Sequence, residues 1–232
     1  MLSPRDDIWL ELAARKAPPD AVWLDEGTAW FRRNHAALGS PAMLEYDWPL
    51  RLIRLYNLTP STIVEVGCSN GWRLAALAQP DRACIGIEPS AEAIADGNAR
   101  YPDLELYQAL ATSLPLRDAI ADLVIVSYVY HWLTRDSLLL ATSEVDRVLR
   151  EGGYLILADF APDVPTQVSY KHRAGLWTWK LPDSYSRIFL ATGGYREVTS
   201  VSYNHDTHPD AADTSSNQRG SCILLVRESQ YR

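Results

Sequence analysis

The sequence predicts an α/β fold: a seven-stranded, mostly parallel sheet with helices on both faces, an antiparallel last strand and an N-terminal helical cap. Three observations carry this. After residue 60, short β-rich apolar runs alternate with helical segments, as in a parallel sheet built from crossover connections. The run "ADLVIVS" (121 to 127) is almost wholly apolar, as a strand covered on both faces must be. The last two apolar runs are joined only by the polar stretch "NHDTHPDAADTSSNQRG" (204 to 220), which implies a long hairpin and an antiparallel final strand at or near the sheet edge.

In order, the strands are "TIVEVG" (62 to 67), "ACIGIE" (83 to 88), "LELYQA" (104 to 109), "ADLVIVS", "GYLILADF" (153 to 160), "YREVTSVSY" (195 to 203) and "SCILLVRE" (221 to 228). Helical patterns fall at 71 to 78, 90 to 100, 136 to 150 and 183 to 192. Ser90 is placed to cap the second helix with Glu92 in its first turn, Asp136 to cap the long one, and Gly152-Gly153 to end it. Residues 1 to 60 differ in kind. "DIWLELAARK", "GTAWFRRNHAAL" and "MLEYDWPLRLIRLYNL" are short amphipathic helices punctuated by "APPD" and "LGSP", and they form the cap. The organisation expected is a cap over 1–60 and one domain over 61–232, with an insertion at about 161–189.

A chain of 232 residues with 47% hydrophobic content buries a core without staples. Its net charge of −7 repels phosphate backbones, which makes nucleic acid a poor partner. The three cysteines, Cys68, Cys84 and Cys222, are odd in number and far apart, so neither disulfides nor a metal site are expected. "MLSPRDDIWLELAARK" lacks the form of a secretory leader and no stretch has the length of a membrane span, giving the expectation of a soluble, cytoplasmic protein, monomer or homodimer.

The segment that carries chemistry is "VEVGCSNGWRL" (64 to 74), a glycine-bearing turn between the first strand and the first helix. Glu88 follows Gly67 by 21 residues, at the end of the second strand, where an acid binds ribose hydroxyls. A dinucleotide turn needs Gly-x-Gly-x-x-Gly, but counting from Gly67 places Ser69 second and Trp72 third, and an indole there holds helix and strand apart. The spacing acid-x-Gly-x-Gly-x-Gly fits better, as Glu65, Gly67, Ser69 and Gly71 with one serine exchanged. An acid at Glu65 suits a ligand with an ammonium group and opposes a pyrophosphate. S-adenosylmethionine has an ammonium, a sulfonium and a ribose, and no phosphate.

Together with "GIEPS", "LPLRD", "EVDRVLREGGYLILADF" and the terminal hairpin, this turn resembles the class I S-adenosylmethionine-dependent methyltransferases, over about residues 60 to 228. The resemblance implies a Rossmann-like fold, S-adenosyl-L-methionine as donor and S-adenosyl-L-homocysteine as product. It places Glu65, Gly67, Cys68, Ser69 and Gly71 at the methionine and ribose end, Glu88 on the ribose, Pro89 and Ser90 near adenine, and Ser127 at the end of the fourth strand. Many relatives carry Gly-Asp-Ala before "LPF"; here Ala109-Leu110-Ala111 precedes "TSLPL", so backbone around Ala111 and Thr112 replaces an acidic contact to adenine.

Ligands of such sheets lie beyond the carboxyl ends of the strands, which brings "SYVYHWL" (127 to 133) toward the transferred methyl. Tyr128 and His131 are candidate catalytic groups there, His131 as a base because a free imidazole changes charge close to neutral pH, although a histidine among aromatics reads equally well as core. Asp159, ending the fifth strand, either orients that base or caps the strand. The stretch 163 to 189 is too aromatic for a mere connection. His172 is its candidate catalytic residue, with Tyr170, Trp177, Trp179, Lys180 and Tyr185 as candidate pocket walls and Tyr46, Asp47 and Trp48 as lid residues. The acceptor expected is a small molecule, such as a sugar, a phenolic or another natural product, methylated at oxygen or nitrogen. The rivals are methylation of RNA or protein, a silent cofactor-binding partner subunit, and a nicotinamide oxidoreductase.

Overall fold

The structure is a computed structural model that describes residues 20–206, 216 and 218–228. The helix read over 7–16 and most of the 204–220 connection lie outside these residues. The cap supplies α1 (Asp20–Asn34), α2 (Pro41–Tyr46) and α3 (Trp48–Leu55). The main sheet follows as β1 (Thr62–Val66), α4 (Trp72–Leu77), β2 (Ala83–Glu88), α5 (Ala91–Arg100), β3 (Glu105–Gln108), β4 (Ala121–Ser127), α6 (Arg135–Val148) and β5 (Leu149–Phe160). Next come a small hairpin, β6 (Thr166–Ser169) and β7 (Trp177–Lys180), then α7 (Ser186–Leu190), β8 (Tyr195–Asn204) and β9 (Arg219–Arg227).

The seven strands lie in the order β3-β2-β1-β4-β5-β9-β8. All neighbours up to β5 pair in parallel, and β9 runs antiparallel between β5 and β8. The last strand is therefore second from the edge. Strand order reverses between β1 and β4, the place where such sheets open a crevice for ligands.

Period-two alternation splits the apolar residues of each strand between two cores. Val64, Val66, Val124 and Val126 face α6 and α7, joining Leu138, Ala141, Val145 and Phe189. Ile63, Leu123 and Ile125 face the other way, onto Leu50 and Ile53 of α3 and Leu74 of α4. Leu50, Leu52 and Leu74 are fully buried, and truncating any of them to alanine costs about 2–5 kcal/mol. The third cap helix is thus part of the sheet's helical layer.

Ser90 caps α5 as expected, its side chain accepting from Ala93 N at 3.3 Å. The cap of α6 is Thr134, whose hydroxyl accepts from Ser137 N, while Asp136 sits in the first turn. That helix stops at Val148, and Gly152-Gly153 lies inside β5. Leu149 pairs with Ala121, the register slips, and pairing resumes at Leu123 with Tyr154. Gly152 takes φ +70°, and a Cβ on Gly153 would stand 2.7 Å from Leu149 Cδ1, so the glycine pair forms this irregularity instead of ending the helix. The helix expected over 183 to 192 is a 3-10 turn (Pro182–Tyr185) followed by the short α7.

Candidate active site

The turn after β1 holds three successive left-handed residues at alternate positions: Gly67 (φ 76°), Ser69 (φ 52°) and Gly71 (φ 78°). Two of the three are glycine, for which this conformation carries no Cβ penalty. A Cβ on Gly67 would run into Val129, and one on Gly71 would come 2.8 Å from Leu104 Cδ1. The turn is tied down by Gly67 N and Cys68 N, which donate to Ile87 O at 2.7 and 3.1 Å. Ser69 N donates to Glu88 Oε2 at 3.0 Å, and Ser90 N to Glu88 Oε1 at 2.9 Å. Glu88 lines the cleft but is withdrawn from bulk water, and burial pushes its carboxyl up to about 7 against the pull of those two backbone donors. Over it lies α1, where a Cβ on Gly27 would stand 3.2 Å from Glu88 Oε1.

Glu65 is placed differently from the expectation of an ammonium partner. It is buried behind Arg73, which pairs with it directly, and Glu65 Oε2 has no hydrogen-bond partner among the described residues. Burial pushes Glu65 up to about 7 despite that cation. Arg73 reaches the cleft wall with Asp47, Nη2 donating to Asp47 Oδ2 at 2.9 Å and to Ser127 Oγ at 3.3 Å. Burial works against the Arg73 charge, and Asp47 with Glu65 more than offsets it. Asp47 also caps α3, accepting from Leu50 N at 2.9 Å, so one carboxylate joins the cap to the floor of the site. Sequence reasoning missed Arg73. The signal was a lone charge in the apolar segment "WRLAAL".

Beyond Glu88 the wall continues through Pro89, Ala111 and Thr112, while Cys68 and Ser90 face the protein interior. The whole cleft encloses about 1140 Å³. That is above the usual span for one small ligand, leaving room for a cofactor and an acceptor together.

The acceptor half opens past Ser127. Tyr128 takes φ +56°, a left-handed conformation rare for an aromatic residue, and its hydroxyl meets that of Tyr203 at 2.7 Å. Desolvation pushes the Tyr128 phenol far above its usual range. His131 lies in the 3-10 turn Tyr130–Trp132, buried yet on the cleft wall. Its Nδ1 is 2.9 Å from Asp159 Oδ1, off the line of a linear hydrogen bond. Asp159 also accepts from His131 N at 3.3 Å and Phe160 N at 2.7 Å. Rings enclose the imidazole, with Phe160 at 5.1 Å and Trp132 at 4.7 Å between centroids. Asp159 itself stands behind His131, off the wall.

The hairpin β6–β7 roofs this half. Thr178 and Lys180 face inward, whereas Trp177 and Trp179 point to solvent at 49% and 45% exposure instead of lining the pocket. Tyr185 is buried core, edge-on to Tyr130 at 5.6 Å. His172 sits exposed at the lip, two rings removed from His131 along Trp132, Tyr170 and His172. Among the described residues no cluster of metal-ligating side chains occurs.

Fold and cleft define a doubly wound protein that binds a nucleoside cofactor at its strand switch. Residues 64–157 match the family model of a methyltransferase domain. Over 219 residues the chain is 26% identical to a probable S-adenosylmethionine-dependent methyltransferase of Mycobacterium tuberculosis, covering 92% of this chain and 71% of that protein. It is 28% identical over 151 residues to a ubiquinone/menaquinone biosynthesis C-methyltransferase of Rubrivivax gelatinosus, covering 61% and 59%. The fold is shared with the 1,6-didemethyltoxoflavin-N1-methyltransferase of Burkholderia thailandensis, solved with its acceptor and S-adenosylhomocysteine. Its TM-score is 0.63 at 12% identity, over 99% of this chain and 92% of that one. Residues 64–157 carry a methyltransferase domain, and the chain is similar over most of its length to S-adenosylmethionine-dependent methyltransferases.

Proposed function

We propose that this enzyme methylates an oxygen or nitrogen of a small-molecule acceptor in the cytoplasm, with His131 as the base. The observation that carries the reading is the buried His131 on the wall of an aromatic cleft, backed by Asp159 at 2.9 Å. S-adenosylmethionine supplies an electrophilic methyl group on sulfonium. The chain's own part is to hold donor and acceptor in line and to take the acceptor proton. Glu88 would hold the ribose hydroxyls, the turn Gly67–Gly71 the chain of the donor, Arg73 with Asp47 its amino-acid end, and Ala111 and Thr112 its base. The carboxylate of Asp159 orients the imidazole and offsets the charge it gains. Tyr128 and Phe160 seat a flat acceptor against it.

The Burkholderia neighbour, whose name describes a nitrogen methylation of a small heterocycle, supports this reading. The Rubrivivax relative favours a second one, transfer to a ring carbon, for which the same base would deprotonate a ring hydroxyl. A panel of hydroxylated and amino aromatic compounds and sugars, incubated with methyl-labelled donor, separates the two by the atom that carries the label. On any acceptor found, His131→Ala is expected to lower turnover by about 10²–10⁴-fold and to leave S-adenosylhomocysteine affinity unchanged. Loss of that affinity, or undiminished turnover, removes His131 from the role of base.

A further inference from the structure

The inner strand of the hairpin carries a cation that, among the described residues, has no ion-pair partner. Lys180 Nζ lies 3.3 Å from the centroid of the Phe160 ring and, among the described residues, makes no ion pair or hydrogen bond. It is partly withdrawn from water, and burial lowers its pKa while Asp159 and Asp206 pull the other way. Those two carboxylates have other partners. Asp159 accepts two backbone N–H groups beside His131, and Asp206 pairs with His205 Nδ1 at 2.8 Å. An ammonium has three donors and no acceptor, and a ring face meets only part of its demand once water is displaced.

In a chain of net charge −7, this end of the cleft brings two lysines, Lys180 and Lys171, together with His172, and Asp206 is the acid beside them, already paired with His205. Lys180 and His131 lean on the same ring, the imidazole centroid at 5.1 Å and the ammonium at 3.3 Å from that of Phe160, so one small ring compound spans both.

We infer that the acceptor is an aromatic acid, its carboxylate paired with Lys180 while the hydroxyl or amino group to be methylated stands at His131. The inference rests on the small-acceptor reading and names its substrate class. Lys180 contributes no chemistry to the transfer; it fixes which end of the acceptor faces the methyl group.

The test is calorimetric titration of the full chain saturated with S-adenosylhomocysteine, using matched pairs: 3,4-dihydroxybenzoate against 3,4-dihydroxybenzamide, and 4-aminobenzoate against 4-aminobenzamide. Each acid is expected to bind about tenfold more tightly than its neutral amide. Lys180→Met is expected to bring each pair within about twofold of one another, Lys180→Arg to keep most of the preference, and neither to change S-adenosylhomocysteine binding. Equal binding of acid and amide by the unaltered chain, or a preference that survives Lys180→Met, overturns the inference and leaves the small-acceptor reading standing. If neither member of either pair binds while S-adenosylhomocysteine does, the aromatic acid is overturned and the acceptor class must be sought elsewhere. Failure to bind S-adenosylhomocysteine at all would strike the donor site itself.

Discussion

At the scale of single residues, the ribose-end acid sets a pH dependence with two opposite signs. A hydroxyl donates best to a carboxylate, and Glu88 becomes one only as pH rises through about 7. Affinity for S-adenosylhomocysteine is therefore expected to fall about tenfold from pH 8 to pH 6, and Glu88→Gln to flatten that slope while weakening binding at pH 8. Stability of the unliganded protein runs the other way. A carboxyl raised from 4.5 to about 7 by burial adds stability that is complete below 4.5 and lost as pH climbs through 7, so the melting temperature of the unliganded protein should fall from pH 6 to pH 8, and Glu88→Gln should flatten that fall. A pH-independent affinity in the unaltered chain would contradict the assignment. Glu88 was legible in the sequence because its distance from the glycine turn is fixed by one helix and one strand. The Glu65–Arg73–Asp47 cluster was not, since Asp47 arrives from a different segment and no spacing announces an arginine that neutralises two buried acids.

At the scale of elements, α5 is pressed onto the glycine turn at Gly97. A Cβ there would stand 2.5 Å from the carbonyl oxygen of Asn70 and 2.5 Å from Leu106 Cδ1. Alanine ordinarily stabilises a helix interior relative to glycine by about 0.8–1 kcal/mol. Here Gly97→Ala should destabilise by about 1–3 kcal/mol and weaken the donor site, because the helix must back away from backbone that cannot yield. Urea denaturation decides the sign, and a stabilised variant would show that the turn moves freely. The parallel strands and their helices were legible because burial on one or two faces imposes the period that sequence reading detects. The β6–β7 hairpin was legible only in part: "WTWK" turns its threonine and lysine inward, so Lys180 lines the cleft as expected, but its indoles face water, against what amphipathic reading assigns to tryptophan. The glycine pair at 152 and 153 misled for a related reason. Glycine signals a left-handed residue, whether that residue ends a helix or bends a strand.

At the scale of the whole molecule, the site is assembled from parts far apart in the chain. The sheet rim gives the floor, α1 closes over Glu88, and the hairpin covers His131. α1 is fastened to α5 by Arg32 with Glu92 at 2.6 Å and by His35 with Asp96 at 3.1 Å, largely exposed pairs of small individual worth. S-adenosylhomocysteine is expected to slow amide exchange over residues 20–34 severalfold, read by hydrogen exchange with mass spectrometry, and unchanged rates there would mean that α1 takes no part in holding the cofactor.

Side chains of α1 join the two covers. Arg33 of α1 pairs with Glu26 at 2.5 Å and donates to the hydroxyl of Tyr170, beside the hairpin, at 2.6 Å. Asp25 of α1 also meets Arg173, on the same connection as Tyr170, at 3.9 Å, so the cover of the donor half and that of the acceptor half are fastened to one another and uncovering one loosens the other. Spent donor and methylated acceptor would leave through the same opening event, and turnover would keep one clock in place of two.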